Sequence, residues 1–338
     1  MSARAVFPLF LLFAVTSLVA QDSNSKLSVL VFADYYYVLQ HHNHELKDAN
    51  GFWFRRIYAT YDHKMNESFS ARFRLDMKHE GDFKTAGSMV PSVKDAYLKY
   101  SSSKNDFIFG ISPTPTFQII EKYWGYRSIE QTMPDLQKFG SSRGLGIAAK
   151  GKLANSFLQY HFMFANGSGG KSDDDQGKKF MLSLSTSPSD NFTFEIYGDW
   201  NDFPGEEDWY TMQAFLGVEV KPVTFGIHFT RQIRGSETEE DLTINAASAF
   251  MRTKFNDKVK FFLRGDFMFD PNPLGEEISY LPFAPNAEST FLLAGLDFMP
   301  AKNVSVIPNI QAIFYNSDNA DIDLPNDVVP RITLVYKF

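Results

Sequence analysis

The carboxyl-terminal segment Arg331–Phe338 alternates apolar with more polar residues up to its last position. Side chains of a β-strand point to opposite faces in turn, so Ile332, Leu334, Tyr336 and Phe338 share one face and Arg331, Thr333 and Lys337 the other. A strand apolar along one whole side and charged along the other suits a wall with lipid outside and water inside. The same two-residue period recurs in sixteen segments, near 27–40, 52–64, 67–79, 91–101, 105–112, 142–151, 155–166, 178–187, 191–201, 211–221, 223–234, 242–254, 258–270, 288–299, 303–315 and 328–338. An even count is what a closed antiparallel barrel with both chain ends on one side requires.

The connections carry the same message. Tight turns at Met65-Asn66, Ser102-Ser103-Lys104, Gly151-Lys152-Leu153-Ala154, Pro188-Ser189-Asp190, Lys221-Pro222, Asn256-Asp257 and Pro300-Ala301-Lys302 follow every second segment, with longer polar loops between them. Short turns at one rim and long loops at the other predict an all-β transmembrane antiparallel barrel better than a soluble sandwich. Beyond the amino-terminal run, no apolar stretch approaches the roughly 18 residues of a transmembrane helix. Backbone polar groups in lipid must be satisfied internally, which leaves closure into a barrel as the means of crossing. Met1–Ala20, with one early charge at Arg4 and an apolar run from Phe7 to Val15, reads as a secretory signal peptide, followed by a barrel over 21–338. The chain has no cysteine, so disulfides and thiolate metal sites are excluded.

The period assigns faces. On the third strand Phe69, Ala71, Phe73, Leu75 and Met77 face lipid, and Arg72, Arg74, Asp76 and Lys78 the lumen. Leu158, Tyr160, Phe162 and Phe164 likewise oppose Gln159, His161 and Met163, and Val259, Phe261, Leu263 and Phe267 oppose Lys258, Lys260, Arg264 and Asp266. An Arg or Lys on the lipid face at mid-membrane costs about 2–4 kcal/mol, so these charges belong inside, and sixteen strands leave room for water. Bases inside also include Lys221, Arg331 and Lys337, and acids Glu195, Asp199, Glu219 and Asp297, so the lining is of mixed sign. Trp53, Trp200 and Trp209 are expected in interfacial girdles, and Pro308 marks a bulge or a strand boundary.

Residues 113–141 break the rhythm with about thirty residues that hold aromatic side chains and both signs of charge, and loops of that length are usually functional. Folded inward, this loop narrows the lumen and sets Lys122, Arg127 and Lys138 beside passing solutes; the other reading is an outward loop on the rim. His161 and Ser183 stand near one another on neighbouring strands but lack an evident third group, so no catalytic residues are assigned and the chain is not read as an enzyme. His41, His42 and His44 are read as a solvated loop, since adjacent residues of a strand point apart, and no metal or cofactor is expected. The acidic clusters Asp173-Asp174-Asp175, Glu206-Glu207-Asp208, Glu237 with Glu239-Glu240-Asp241, and Glu276-Glu277 are read as solvated external loops. With a formal charge of −7 and no basic patch, nucleic acid is not a partner.

The run Glu121-Lys122-Tyr123-Trp124-Gly125-Tyr126-Arg127, then Gln131-Thr132, Asp135 and Ser141-Ser142-Arg143-Gly144-Leu145-Gly146, resembles the phosphate- and polyphosphate-selective porins. Arg55-Arg56 and the aromatic terminus extend the likeness. The resemblance implies a sixteen-stranded homotrimer with an inward-folded loop; the strand pattern and the signal place the chain in the outer membrane of a Gram-negative bacterium, in contact with lipid and lipopolysaccharide and assembled through the terminal Phe338 by the barrel-assembly machinery. Members of that family pass anions along basic side chains, so the resemblance implies charge selectivity for anions such as phosphate, added to the strand and loop reading of passive diffusion of small polar solutes past a lining of Arg72, Arg74, Lys122, Arg127, Lys138, Arg143, Lys260 and Arg264. A non-selective diffusion pore is the alternative, and a barrel enzyme or surface-binding protein a weaker one.

Overall fold

The computed structural model describes residues 24–83, 87–153, 157–173, 176–203, 205, 207–316 and 324–338. The expected signal peptide lies outside them, as do Ala154 of one expected turn and Asp174, Asp175 and Glu206 of the acidic clusters.

Sixteen strands follow one another: β1 Ser25–Tyr37, β2 Asn50–Lys64, β3 Phe69–Lys78, β4 Val90–Ser101, β5 Asn105–Pro113, β6 Arg143–Leu153, β7 Leu158–Asn166 and β8 Lys178–Ser189. The second half comprises β9 Phe192–Asn201, β10 Trp209–Val220, β11 Val223–Arg234, β12 Leu242–Lys254, β13 Val259–Met268, β14 Glu288–Ala301, β15 Val304–Asn316 and β16 Asp327–Lys337. Each coincides with an expected segment, and no end moves by more than three residues. Each strand pairs antiparallel with its sequence neighbours, and β1 pairs with β16 from Leu30↔Lys337 to Tyr36↔Arg331, closing the barrel. The terminal Phe338 takes part in closure, since its backbone exchanges both hydrogen bonds with Val29, at 2.8 and 3.1 Å.

Two short turns use one device. Asn66 Oδ1 accepts from the backbone N–H of Ser68 and Phe69 at 2.9 and 2.8 Å, and Asn256 Oδ1 does the same for Lys258 and Val259 at 2.8 and 2.9 Å. An asparagine that supplies its own acceptor fits such turns, where backbone partners run out. The faces follow the two-residue period over most of the barrel. Phe73, Phe162, Leu263, Ile332 and Leu334 stand exposed on the outside, and Arg264, Asp266, Arg331 and Thr333 are buried within. Pro308 sits inside β15, paired with Ile332 on one side; on the other, the ladder to β14 has a register shift between Phe298 and Ala301. No helix among the described residues is long and apolar enough to cross a membrane.

Two further irregularities alter the lining. Where Phe32 pairs with Arg56, the next residue Ala33 pairs with Phe54, so Arg55 has no partner on β1. Where Arg74 pairs with Asp95, Leu75 pairs with Val93, so Lys94 is left over on β4. A bulge of this kind lets two successive side chains point to the same side. Arg55 with Arg56, and Lys94 with Asp95, therefore all enter the lumen.

The lumen is not lined by charge throughout. Phe215 of β10, Phe250 of β12 and Phe262 of β13 face inward and are buried against the segment that connects β5 to β6. The segment between β13 and β14 also enters, burying Ile278, Tyr280, Leu281 and Phe283. Sequence reading placed this second segment among the external loops. Its apolar residues Ile278, Tyr280, Leu281 and Phe283, within a stretch bounded by Glu276-Glu277, were the available signal.

Candidate pore-lining site

The connection 114–142 carries two short helices, α1 Gln118–Trp124 and α2 Met133–Leu136. Helix α1 stops at Gly125, which turns into the left-handed region with φ of 69° and returns its N–H to the Glu121 carbonyl at 2.9 Å. A Cβ there would stand 2.4 Å from Nη1 of Arg252, so the position needs glycine for conformation and for space. Trp124, fully buried, packs edge-on to Phe250 and Phe262 at centroid distances of 5.5 and 5.9 Å. Tyr123 meets Phe215 at 5.4 Å, an approach that Gly217 permits, because a Cβ at that position would lie 2.5 Å from the Tyr123 ring. This face of the loop is held to β10, β12 and β13 by aromatic contact.

Polar anchors hold the rest. Glu130 is buried and accepts from Arg55 Nη2 at 2.9 Å and Gln311 Nε2 at 3.2 Å, while Trp124 Nε1 donates to the Glu130 carbonyl at 2.9 Å. Arg55 also reaches the carbonyl of Ile129, and Arg264 that of Gln131. Burial opposes ionisation of Glu130, but Arg55, Arg331 and Arg264 with the Gln131 N–H outweigh it and hold the carboxyl below the usual carboxylate range. Gln232 Nε2 donates to the Phe139 carbonyl at 2.9 Å, and Asn272 Nδ2 to that of Gln137 at 2.9 Å. Strands β2, β11, β13 and β15 thus each hold the loop through at least one side chain.

The side of the loop turned toward β1–β4 and β6 leaves space. A cavity of about 500 Å³ there is lined by the basic side chains Lys26, Arg74, Lys94, Arg127, Arg143 and Lys337, with Glu121 the one acidic side chain among its lining residues. Arg74 and Arg143 share a single carboxylate, Asp95, Arg74 at 3.2 Å. Lys94 donates to Ser142 Oγ at 3.0 Å and has no carboxylate partner among the described residues. The electrostatic result is a patch with more basic than acidic side chains, facing water.

The expected pore-lining residues fall in three places. Arg74, Arg127 and Arg143 meet at this cavity. Arg72, also on β3, is paired with Asp62 at 2.7 Å beside a separate opening, and Lys122 is exposed on α1. Lys260 and Arg264 lie on β13 across the barrel, the first 3.8 Å from Asp297 and the second clasping Asp266. Lys138, with φ of 57°, is bonded to Glu277 at 2.6 Å, and that bond holds the Glu277 carboxyl below its usual range. Arg127 is itself tied to Asp135 at 3.3 Å. Much of the mixed-sign lining expected from the strand pattern is neutralised in local pairs, Arg56 with Asp76, Lys179 with Asp199 at 3.0 Å and Lys260 with Asp297.

Strict alternation missed Lys94 and the joint inward placement of Arg55 and Arg56. The signal was adjacent charges within an otherwise alternating strand. One of the two would face lipid unless a bulge intervened. Trp53, expected at an interface, is buried inside the lumen and stacked on Tyr36 at 4.0 Å, whereas Trp200 is outward and stacked on Phe180 at 5.6 Å. His161 and Ser183 do stand directly opposite one another on β7 and β8. Ser183, however, donates to Glu195 at 2.5 Å, so no hydrogen bond joins His161 to the hydroxyl as base to nucleophile.

No protein-family model matches the chain, and no curated protein matches it by sequence. By structure it is similar to an anion-selective porin from Comamonas acidovorans, with a TM-score of 0.71 and 10% identity, covering 94% of this chain and 100% of that one. It is also similar to OmpF of Salmonella typhi in complex with daunomycin, at 0.66 and 12%, covering 93% and 97%. A mutant of the Rh. blastica porin aligns at 0.57 and 14%, covering 93% and 100%. At these identities the likeness is one of fold: the chain has the closed β-barrel architecture of outer-membrane porins.

Proposed function

We propose that this chain is an outer-membrane porin that lets small polar solutes diffuse passively, with a preference for anions of the phosphate class. One observation carries the preference. The cavity between loop 114–142 and strands β1–β4, β6 and β16 gathers six basic side chains, against Glu121 in its lining and the carboxylates of Asp95 and Asp135 that pair with Arg74, Arg143 and Arg127. A ring of fixed positive charge in a water-filled constriction lowers the barrier for anions and raises it for cations. The name of the Comamonas protein, an anion-selective porin, supports the same class of solute.

Residues 1–20 act in this reading as a cleaved export signal, the chain termini lie on the periplasmic side, and the long connections face outward. Assembly as a trimer, contact with lipopolysaccharide and insertion through the terminal Phe338 belong to the same proposal; OmpT of Vibrio cholerae, similar at a TM-score of 0.62, is described in a trimer form. A weakly selective general pore is the second reading, and it has its own observation: many lining charges, such as Arg56, Arg72 and Lys260, are already paired with carboxylates. Single-channel recording across a planar bilayer under a potassium chloride gradient separates the two. A reversal potential toward that of chloride, with block by added phosphate, supports the anion porin. A potential near zero with ohmic steps supports the general pore, and absence of steps removes both.

A further inference from the structure

At the barrel end opposite the chain termini, a second constellation has no part in the basic cavity. Beyond β1 the chain is stitched to β16 by backbone bonds, Leu39 N–H to Val328 O and Val328 N–H to Gln40 O, each at 2.9 Å. The chain then leaves strand geometry, so the adjacent residues His41 and His42 do not point apart as sequence reading expected. Their rings lie 4.3 Å apart, inclined by 32°. Asp327, the first residue of β16, is fully buried beside them, its carboxylate 2.9 Å from His42 Nδ1 and 3.8 Å from His41 Nδ1. One donor atom from each of the three residues lies within 4.8 Å of the other two.

Two features separate this cluster from an ordinary hydrogen-bonded network. The N–H of Asn43 donates to His41 Nδ1 at 3.0 Å, so that nitrogen is unprotonated, 3.8 Å from Asp327 Oδ1. The same oxygen accepts the backbone N–H of His42, so a bound ion would compete with both hydrogen bonds. His41 is buried, and its Nε2 has no hydrogen-bond partner among the described residues. The rest of the surroundings support a ligand set. Tyr315 on β15 donates to Asp327 Oδ2 at 2.5 Å and so orients the carboxylate, and Glu276 Oε2 lies 3.4 Å from His42 Nε2 with its side chain open to solvent.

We infer that His41, His42 and Asp327 bind a divalent transition metal of the zinc class, with water as the fourth donor. Imidazole nitrogen with carboxylate oxygen is a donor set that suits zinc, copper or nickel rather than calcium or magnesium. Ligands about 2.1 Å from a tetrahedral ion are about 3.4 Å apart, and the separations of 2.9 and 3.8 Å bracket that spacing. The ion would tie loop 38–49 to β16. The inference stands apart from the permeation reading, because it rests on none of the basic side chains.

The test is titration of zinc chloride into the folded, chelator-treated full-length protein in detergent, followed by calorimetry, with heat-modifiable electrophoretic mobility as the check on folding. One ion per chain at micromolar affinity is expected, weakened at least tenfold in His42→Gln and Asp327→Asn and unchanged in His44→Ala, since His44 is exposed and outside the cluster. If Asp327→Asn does not recover a folded barrel, His42→Gln with His41→Gln carries the comparison by the same criterion. No uptake by the folded parent, uptake that survives in the folded His41→Gln/His42→Gln double variant, or uptake lost in His44→Ala each overturns the assignment.

Discussion

Arg55 and Arg56 are neighbours on one strand, yet both point into the lumen, because Arg55 has no partner on β1. They do different work there. Arg55 is buried and holds Glu130 and the Ile129 carbonyl of the inward loop, whereas Arg56 pairs with Asp76 on β3. One bulge therefore supplies both the anchor of the loop and a charge on the wall beside it.

The same device on β4 makes Lys94 the most direct test of selectivity. Lys94→Glu reverses a lining charge that has no carboxylate partner among the described residues, so the chloride-to-potassium permeability ratio is expected to fall severalfold. Lys260→Glu, across the barrel beside Asp297, should change it less. Reversal potentials in a salt gradient measure both, and equal effects from the two variants count against the cavity as the selective path.

Glu130 is the keystone of the loop's polar anchoring. Glu130→Ala leaves Arg55 buried without its closest carboxylate, and loss of one partner of a buried pair costs about 3–5 kcal/mol. The expected result is a lower guanidinium midpoint for unfolding together with noisier single-channel current, since the loop would lose its hold on β2 and β15. A quiet, wild-type current in a folded variant would mean that the aromatic face alone holds the loop.

The same carboxyl makes a pH prediction. Its value is depressed in the folded protein, so its contribution is fully present above the unfolded carboxyl value of about 4.3 and is lost as pH falls through the lower folded value. Stability measured from pH 6 down to pH 3 should therefore drop more steeply in the parent than in Glu130→Gln, which has no proton to take up. Parallel curves for the two proteins would contradict the assignment.

Trp124 tests the aromatic anchor independently. Trp124→Ala vacates a fully buried site between Phe250 and Phe262, at a cost of about 3–5 kcal/mol. Mean conductance is expected to rise as the loop moves off β12 and β13, and planar-bilayer recording gives the direction of change.

The outward face can be checked at Leu263, exposed on β13 next to the buried Arg264. Leu263→Arg sets a cation against lipid, costing about 2–4 kcal/mol near mid-membrane, whereas Ala249→Leu on the same outer surface should be nearly neutral. Refolding yield into lipid vesicles, read by electrophoretic mobility, reports the difference.

Strand number, order and most face assignments were legible because they rest on local repetition. A period of two with lipid on one side leaves a charged residue only one affordable direction, and turn residues such as Asn66 and Asn256 mark the ends. The lining was less legible where that period fails. Bulges at Arg55 and Lys94 add one residue to one strand of a pair, and a single chain read alone cannot say which partner is short.

The sequence by itself determined the closed barrel, its sixteen strands and the unusual length of the segment 113–141. Only the tertiary structure decided which charges share a space: that Arg74, Lys94, Arg127 and Arg143 line one cavity while Lys260 and Arg264 stand elsewhere. It also decided that Trp53, Phe250 and Phe262 face inward and that His41 and His42 meet Asp327. The physical reason is range. Periodicity is set between residues two apart, whereas these contacts join segments up to 286 positions apart and depend on where a loop finds apolar surface to bury.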